Sequence, residues 1–448
     1  MTPLLLAACL LGADPVEAGD APAADRPNVL LILSDDQAWD DYGFLGSEHA
    51  RTPHLDRLAE QSRTFPRGYV PTSLCRPSLA SILTGRYPHQ HGVTGNDPAP
   101  PAGRKGGPEY VALKKALNRT LADDPQLSSL LQDAGYRTLQ TGKWWEGDPT
   151  DFGFTAAMTH GDMTRGGRHG DEGLKITRDG KPSPDLGPLP AFMDEAEQAG
   201  QPWFVWYAPF LPHTPHDPPQ RLLSKYRDRV EAGELTLSEA KYFANVERFD
   251  EAVGAVLAEV DRRGPAGSQG RGTLVVYVCD NGWITRPDKS AYADRSKRSP
   301  HEGGVRTPIM LRRTGVIEPE LNETPVSSVD LARTILTHCD VPVPEAVGGT
   351  DLLDDAAVAD RGPVFGEVFE HDQPFPAPPA AGLKYRWVVD GNWKLILPHA
   401  PHFPGEQPPT ELYDLSADPH ETTNLAEERP QQVARLTALL NDWWAPTE

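Results

Sequence analysis

Positive charge is in short supply in this chain: 43 Lys and Arg face 64 Asp and Glu across 448 residues, a formal net charge of −21. That balance repels nucleic acid and anionic membrane surfaces, so neither is expected as a partner. An anionic substrate would have to be drawn in by a local cluster of cations or by a metal ion, which makes individual Lys residues informative. Long hydrophobic runs are missing as well. The apolar run from Leu4 to Leu11 falls far short of the roughly 18–20 residues of a membrane helix, and no later stretch reaches that length. Residues 1–24 instead follow the order of a short export signal, apolar and then small and acidic, although without a basic start. The segment Leu6-Ala7-Ala8-Cys9 also fits a bacterial lipoprotein cleavage box. The expectation is a periplasmic or extracellular protein without a membrane span, with Cys9 as its candidate lipid anchor.

Cysteine is scarce too, at four residues. Beyond Cys9 there are Cys75, Cys279 and Cys339, an odd set that leaves at least one thiol unpaired in an exported chain and so available for chemistry. Cys279 closes an apolar run and Cys339 follows a helical pattern, so both read as buried core thiols. Cys75 has the unusual neighbours.

Several segments share one grammar, a short β-branched run that stops at polar residues able to bind metal or move protons. Val29 to Leu33 runs into Asp35-Asp36, and Thr273 to Val278 into Asp280-Asn281. Trp203 to Tyr207 leads through Pro209 to His213 and His216. Helical patterns such as Leu127 to Ala134 and Tyr242 to Val260 lie between them, so the fold class is α/β, a mostly parallel central sheet sandwiched by helices. Ligands of such sheets bind beyond the carboxyl ends of the strands, where these polar residues fall. Pro- and Gly-rich stretches at Asp97 to Pro108, Asp372 to Gly382 and Pro398 to Pro409 read as loops. Three closely spaced strand-like pieces, Val364 to Phe369, Tyr385 to Asp390 and Trp393 to Leu397, followed by a helix from Gln431 to Trp444, predict a smaller C-terminal antiparallel sheet. The expected division is therefore a catalytic domain over 25–350 and an α+β subdomain over 351–448.

Asp35, Asp36, Asp280 and Asn281 supply three carboxylates and an amide oxygen, a hard donor set suited to Ca²⁺ or Mg²⁺ rather than zinc. Either pair alone would read better as turn residues. From Leu74 to Arg86 the sequence describes a short helix, with Pro77 in its first turn, apolar Leu79, Ile82 and Leu83, and Gly85 as its stop. Cys75 would sit at the start of that helix, where free N–H groups and the dipole favour an anion and lower a thiol's pKa.

The segment around Cys75 resembles the modification signature of the type I sulfatases, an alkaline-phosphatase-like family whose pattern is Cys-x-Pro-Ser-Arg-Ala followed by Leu-Thr-Gly. Further resemblances run along most of the chain. They are Asp35-Asp36 with Asp280-Asn281, Thr141-Gly142-Lys143-Trp144, Pro212-His213-Thr214-Pro215-His216, Lys297 ahead of Glu302-Gly303-Gly304, and Glu411-Leu412-Tyr413-Asp414 with Asp418-Pro419. The resemblance implies that a formylglycine-generating enzyme oxidises Cys75 to formylglycine. The hydrate of that residue attacks sulfur with one hydroxyl and expels sulfate through the other, which splits one hard displacement into two easier steps. It further implies that Asp35, Asp36, Asp280, Asn281 and residue 75 hold the metal, that Lys143 and Lys297 stabilise charge on the sulfuryl oxygens, and that His216, favoured over His213, hydrogen-bonds the ester oxygen or acts as general acid. His89 and His91 are candidates either for the pocket wall or for structural roles. Trp144, Trp145, Trp206 and Tyr207 would suit a sugar ring, although core packing accounts for them equally well.

Two positions depart from the pattern. Leu79 stands where the family has an arginine that the modifying enzyme reads and that pairs with the sulfate site. Trp145 stands where many members have a histidine that touches the nucleophile. Arg76 is the candidate source of replacement charge. The leading expectation is a sulfuric ester hydrolase acting on a sulfated small molecule or glycan. A phosphoester or phosphonate hydrolase of the same superfamily is the second, and a catalytically silent sulfated-glycan binding protein the third.

Overall fold

Runs of β-branched and aromatic side chains, buried from end to end, build the centre of the molecule. The computed structural model describes residues 26–103, 105–158, 186–265 and 271–447. The proposed export signal and Cys9 lie outside them. The main strands are β1 (Asn28–Ser34), β2 (Arg63–Tyr69), β3 (Arg137–Gly142), β4 (Trp203–Ala208), β5 (Thr273–Cys279) and β6 (Arg306–Arg312). Every residue of β1, β4 and β5 is buried, a pattern that requires cover on both faces of the sheet.

The central order is β2-β6-β5-β1-β4-β3, extended by two-residue strands at both edges. β1 pairs in parallel with β4 and β5, placing Leu30 beside both Val205 and Val275, and β3 pairs in parallel with β4. Only β6 runs against its neighbours β2 and β5. Alternate residues of each strand enter opposite cores. Leu31, Leu33, Phe204, Trp206 and Val276 face helices α2 (Cys75–Thr84), α3 (Leu127–Asp133) and α6 (Asp330–His338). Leu30, Ile32, Val205, Tyr207 and Val275 face α1 (Pro53–Glu60), α4 (Leu189–Gln198) and α5 (Leu237–Asp261). The long α5 starts at a capping box in which Thr236 and Glu239 satisfy each other's backbone N–H.

A second sheet has the antiparallel order β7 (Val364–Phe369), β8 (Leu383–Asp390), β9 (Trp393–Pro398), β10 (Glu411–Asp414). Helix α7 (Pro430–Trp443) covers it, packing Leu436 and Leu440 on Val388, Leu395 and Leu412. Two of the stretches expected to be plain loops are joined: Asp97–Pro98 pairs in parallel with Asp372–Gln373. A helix also begins at Gly107, inside the first of them.

Candidate active site

The proposed ligands gather at the carboxyl ends of β1 and β5 because the hydrogen-bond ladder continues past both strands. Asp35 N–H donates to the Leu211 carbonyl and Asp280 N–H to the Ser34 carbonyl, each at 3.0 Å. The chain then turns at Asp36, whose φ of 64° is a left-handed conformation uncommon outside Gly and Asn/Asp. The turn brings Asp36 N–H to Asp280 Oδ1 at 3.2 Å and lets Asn281 Nδ2 donate to Asp36 Oδ1 at 2.7 Å.

Both lysines reach this cluster and both are buried. Lys143 follows Gly142, where a Cβ would lie 1.7 Å from the Ala208 carbonyl oxygen and φ is +71°. Glycine is therefore required for β3 to leave β4 at that point. Lys143 Nζ then donates to Asp35 Oδ1 at 2.6 Å and Asp280 Oδ2 at 2.8 Å. Lys297 Nζ donates to Asp36 Oδ1 at 2.6 Å and lies 3.0 Å from Cys75 Sγ. Burial alone would lower the pKa of Lys143, but the carboxylates of Asp280 and Asp35 outweigh it and hold the ammonium charged. At Asp36 burial works upward, and Lys297, His213 and Lys143 together bring the carboxyl down to about 2. Asp280 goes the other way: burial, with the nearby Asp35 and Asp36 charges, pushes it up to about 7 against the pull of Lys143.

Cys75 is the first residue of α2, and Gly85 caps the helix with φ of 65°. Two expectations for this end of the helix are overturned. The N–H of Arg76 is not free for an anion, because Asn96 Oδ1 accepts it at 3.0 Å. The thiol is raised rather than lowered, to about 11, because burial outweighs Lys143 and Lys297. Arg76 brings no charge to the site either. Its guanidinium is fixed by Glu146, at 2.8 and 2.7 Å, and by the Asn96 and Leu117 carbonyls. Leu79 packs into the hydrophobic core.

Of the two histidines, His213 is the one on the cluster, with Nε2 3.5 Å from Asp36 Oδ2. His216 bonds Ser290 Oγ through Nδ1 at 2.9 Å and packs on the Tyr242 and Trp283 rings. His89 and His91 are structural. His89 bonds Glu367 and stacks on Trp444, while His91 is buried against Ser81. The aromatic residues go to the core: Trp144 packs on Phe152, Phe154 and Trp206, and Tyr207 is fully buried. Trp145 is half-buried against the same core.

A divalent ion fits this donor set on a specific observation. Asp35 Oδ2, Asp36 Oδ2 and Asn281 Oδ1 are buried oxygens that accept no hydrogen bond among the described residues. Such groups are costly unless something else satisfies them, and carboxylate and amide oxygens suit a hard cation. Asp35, Asp36, Cys75 and His213 each present a donor atom, all within 4.8 Å of one another. Asp280 stands behind that group with its oxygens shared between Lys143 and the Asp36 amide.

Comparison with known proteins agrees with this geometry. The sulfatase family profile matches residues 27–341. The chain belongs to the sulfatase family. It is thus an enzyme of sulfuric ester hydrolysis with an alkaline-phosphatase-like fold, in a family that generally uses a metal and a formylglycine. A sulfatase of Formosa agariphila is 26% identical over 94% of this chain and 88% of its own length. A protein solved in complex with its substrate D-glucosamine-2-N,6-O-disulfate superposes with a TM-score of 0.69 at 20% identity, over 93% of this chain and 97% of that one. The phosphonate monoester hydrolase from Silicibacter pomeroyi does so with a TM-score of 0.65 at 22% identity, over 93% and 95%. A second profile, N-sulphoglucosamine sulphohydrolase, C-terminal, matches residues 292–443. It spans both Lys297 and the small sheet, which sequence reading expected, and takes in a buried lysine that it missed. Lys394, the second residue of β9, is fully buried and bonds Glu302 Oε1 at 2.9 Å. A lysine between Trp393 and Leu395 in a strand was the available signal.

Proposed function

We propose that this sulfatase cleaves a carbohydrate sulfate ester, with residue 75 as formylglycine and a Ca²⁺ or Mg²⁺ ion held by Asp35, Asp36, Asp280 and Asn281. The observation that carries the reading is the charge of the site. Asp35, Asp36 and Asp280 face Lys143 and Lys297, three carboxylates against two ammonium groups, and a divalent ion turns that deficit into a single positive charge. A sulfate monoester carries one negative charge and matches it, whereas a phosphate monoester carries nearly two at neutral pH. The same ion favours the charged form of Asp280, which burial and the neighbouring carboxylates disfavour.

When bound, the ion supplies Lewis-acid polarisation of a sulfuryl oxygen. The chain's own groups do the rest. Lys297, between Asp36 and residue 75, stabilises charge on the sulfuryl oxygens, and Lys143, bonded to Asp35 and Asp280, does the same. His213 rather than His216 would hydrogen-bond the ester oxygen or protonate the leaving group, a reading supported by its Nε2 lying 3.5 Å from Asp36 Oδ2. The likeness to the disulfated-glucosamine complex and the N-sulphoglucosamine sulphohydrolase profile support a sugar as the alcohol. Conversion of Cys75 requires a formylglycine-generating enzyme, and the leader over 1–24 is read as the export signal that takes the protein to the periplasm or beyond.

Purified full-length protein is expected to hydrolyse an aryl sulfate, to lose that activity to a chelator and recover it with Ca²⁺ or Mg²⁺, and to turn over the matching phosphate far more slowly. Mass spectrometry of the peptide holding residue 75 should show a sulfur and two hydrogens exchanged for one oxygen. Faster turnover of the phosphate or phosphonate ester would favour the second superfamily activity instead. An unconverted Cys75 in chain made alongside an active converting enzyme would remove the formylglycine mechanism and favour the glycan-binding reading over it.

A further inference from the structure

We propose that the chain with Cys75 unconverted holds a thiophilic ion such as Zn²⁺ through Cys75, His213, Asp35 and Asp36, so that the state of residue 75 decides which class of metal the site accepts. The inference rests on the metal site proposed above and asks what that site is before residue 75 is modified. Sγ of Cys75, an imidazole nitrogen of His213 and one carboxylate oxygen each from Asp35 and Asp36 lie within 4.8 Å of one another. Four ligands of a tetrahedral zinc ion sit about 3.3–3.8 Å apart, given Zn–S near 2.3 Å and Zn–N and Zn–O of about 2.0–2.2 Å. Rotamer adjustments of about an ångström would close the cluster onto one ion.

Two further observations point to a ligand. Asp35 Oδ2 and Asp36 Oδ2 are buried and accept no hydrogen bond among the described residues. His213 Nδ1 lies 2.6 Å from the Thr214 carbonyl, which can only accept, so Nδ1 carries the proton. Nε2 is then the nitrogen that faces the Asp36 carboxylate, at 3.5 Å. An Nδ1–H to carbonyl bond is the usual outer support of a histidine that binds metal through Nε2.

Thiolate and imidazole ligands select zinc and related ions over Ca²⁺, whereas removing the sulfur leaves a set dominated by hard oxygens. Binding exchanges the thiol proton, released to solvent, for a sulfur–metal bond. The thiolate also cancels the single positive charge left for a sulfate ester. The unconverted, metal-capped chain would therefore be silent toward substrate, not merely without its nucleophile.

The test compares full-length protein made with and without a formylglycine-generating enzyme, sorted by mass, using Co²⁺ as the spectroscopic probe and Zn²⁺ and Ca²⁺ by calorimetry. The unconverted protein should take up one Co²⁺ with a thiolate-to-cobalt charge-transfer band, which Zn²⁺ abolishes. The converted protein and the C75S variant should lack the band and bind Zn²⁺ at least about 100-fold more weakly. His213→Ala in unconverted protein should weaken Zn²⁺ binding by a similar factor while leaving the folded near-ultraviolet spectrum intact. A band that persists in C75S would assign the sulfur to another cysteine and overturn the proposal, as would Zn²⁺ affinity equal in the two forms. Failure of the converted protein to bind Ca²⁺ or Mg²⁺ would instead strike the metal site of the proposed function.

Discussion

Lys297 links the carboxylate cluster to residue 75. It donates to Asp36 Oδ1 at 2.6 Å and stands 3.0 Å from the atom that becomes the nucleophile. If its ammonium stabilises charge that grows in the transition state, Lys297→Met should reduce kcat on an aryl sulfate by about 100- to 1000-fold with a much smaller change in KM. Lys143→Met should lower kcat too but tighten metal binding, because it removes the ammonium that neutralises Asp35 and Asp280 at once. Steady-state kinetics across a Ca²⁺ titration separate the two variants, and a Lys297→Met enzyme within threefold of the parent would remove that lysine from the mechanism. At this scale the sequence was only partly readable. The carboxylates and lysines were legible because each follows a strand or a recognisable motif. Which of His213 and His216 meets Asp36 was not, since both stand in His-x-Pro units and only the path of the loop after β4 tells them apart. The direction of Arg76 was hidden for a similar reason: its partner Glu146 lies 70 residues away.

Elements were more legible, because periodicity records burial directly. Strands β1, β4 and β5 and helices α3 and α5 fall within a few residues of the apolar runs that suggested them. The pairing of Asp97–Pro98 with Asp372–Gln373 left no local trace, since two short polar segments far apart in sequence carry no period. Gly142 sets the exit of β3. An alanine there combines a left-handed φ with a Cβ inside the Ala208 carbonyl, so Gly142→Ala should destabilise by about 3 kcal/mol in urea unfolding and displace Lys143. Near-parental stability and activity would mean that the turn can relax. The segment after α2 is sensitive to acid. His91 Nδ1 accepts the Val93 N–H at 3.2 Å, which places the ring proton on Nε2, facing Ser81 Oγ at 3.1 Å. Burial first, then Arg86 and His89, lowers the His91 pKa to about 3. A histidine in the unfolded chain titrates near 6.5, so between these values the unfolded state binds more protons than the folded one. The contribution is complete above about pH 6.5 and is lost as pH falls toward 3. Unfolding midpoints measured across that range should drop less in His91→Gln than in the parent, and parallel curves would contradict the assignment.

The small sheet is fastened to the large one by apolar packing, with Trp387, Val389 and Ile396 in the same core as Tyr69 and Leu31, and by a buried ionic clasp. Lys394 on β9 reaches Glu302 at 2.9 Å and Glu421 at 3.0 Å, while Glu421 Oε2 accepts the Glu302 N–H at 2.7 Å. Tyr69 of β2 donates to Glu302 Oε2 at 3.1 Å, and Arg306 of β6 lies 3.5 Å from the same oxygen. Burial would raise the Glu302 pKa, but Lys394 and Arg306 overcome it and keep the carboxylate charged, whereas burial prevails at Glu421 and raises it. One ammonium therefore serves two buried carboxyl groups, and Glu302 stands five residues after Lys297. Lys394→Met would strand those charges, a change that costs about 3–5 kcal/mol when a buried pair is broken from one side. If the clasp also fixes the segment that carries Lys297, kcat should fall with stability even at temperatures where the variant is fully folded. Adding Glu302→Gln and Glu421→Gln to Lys394→Met removes the stranded charges, and it should restore much of the stability but not the rate. Recovery of both together would show that the clasp only holds the sheets against each other, and loss of neither in the single variant would show that water reaches the three side chains.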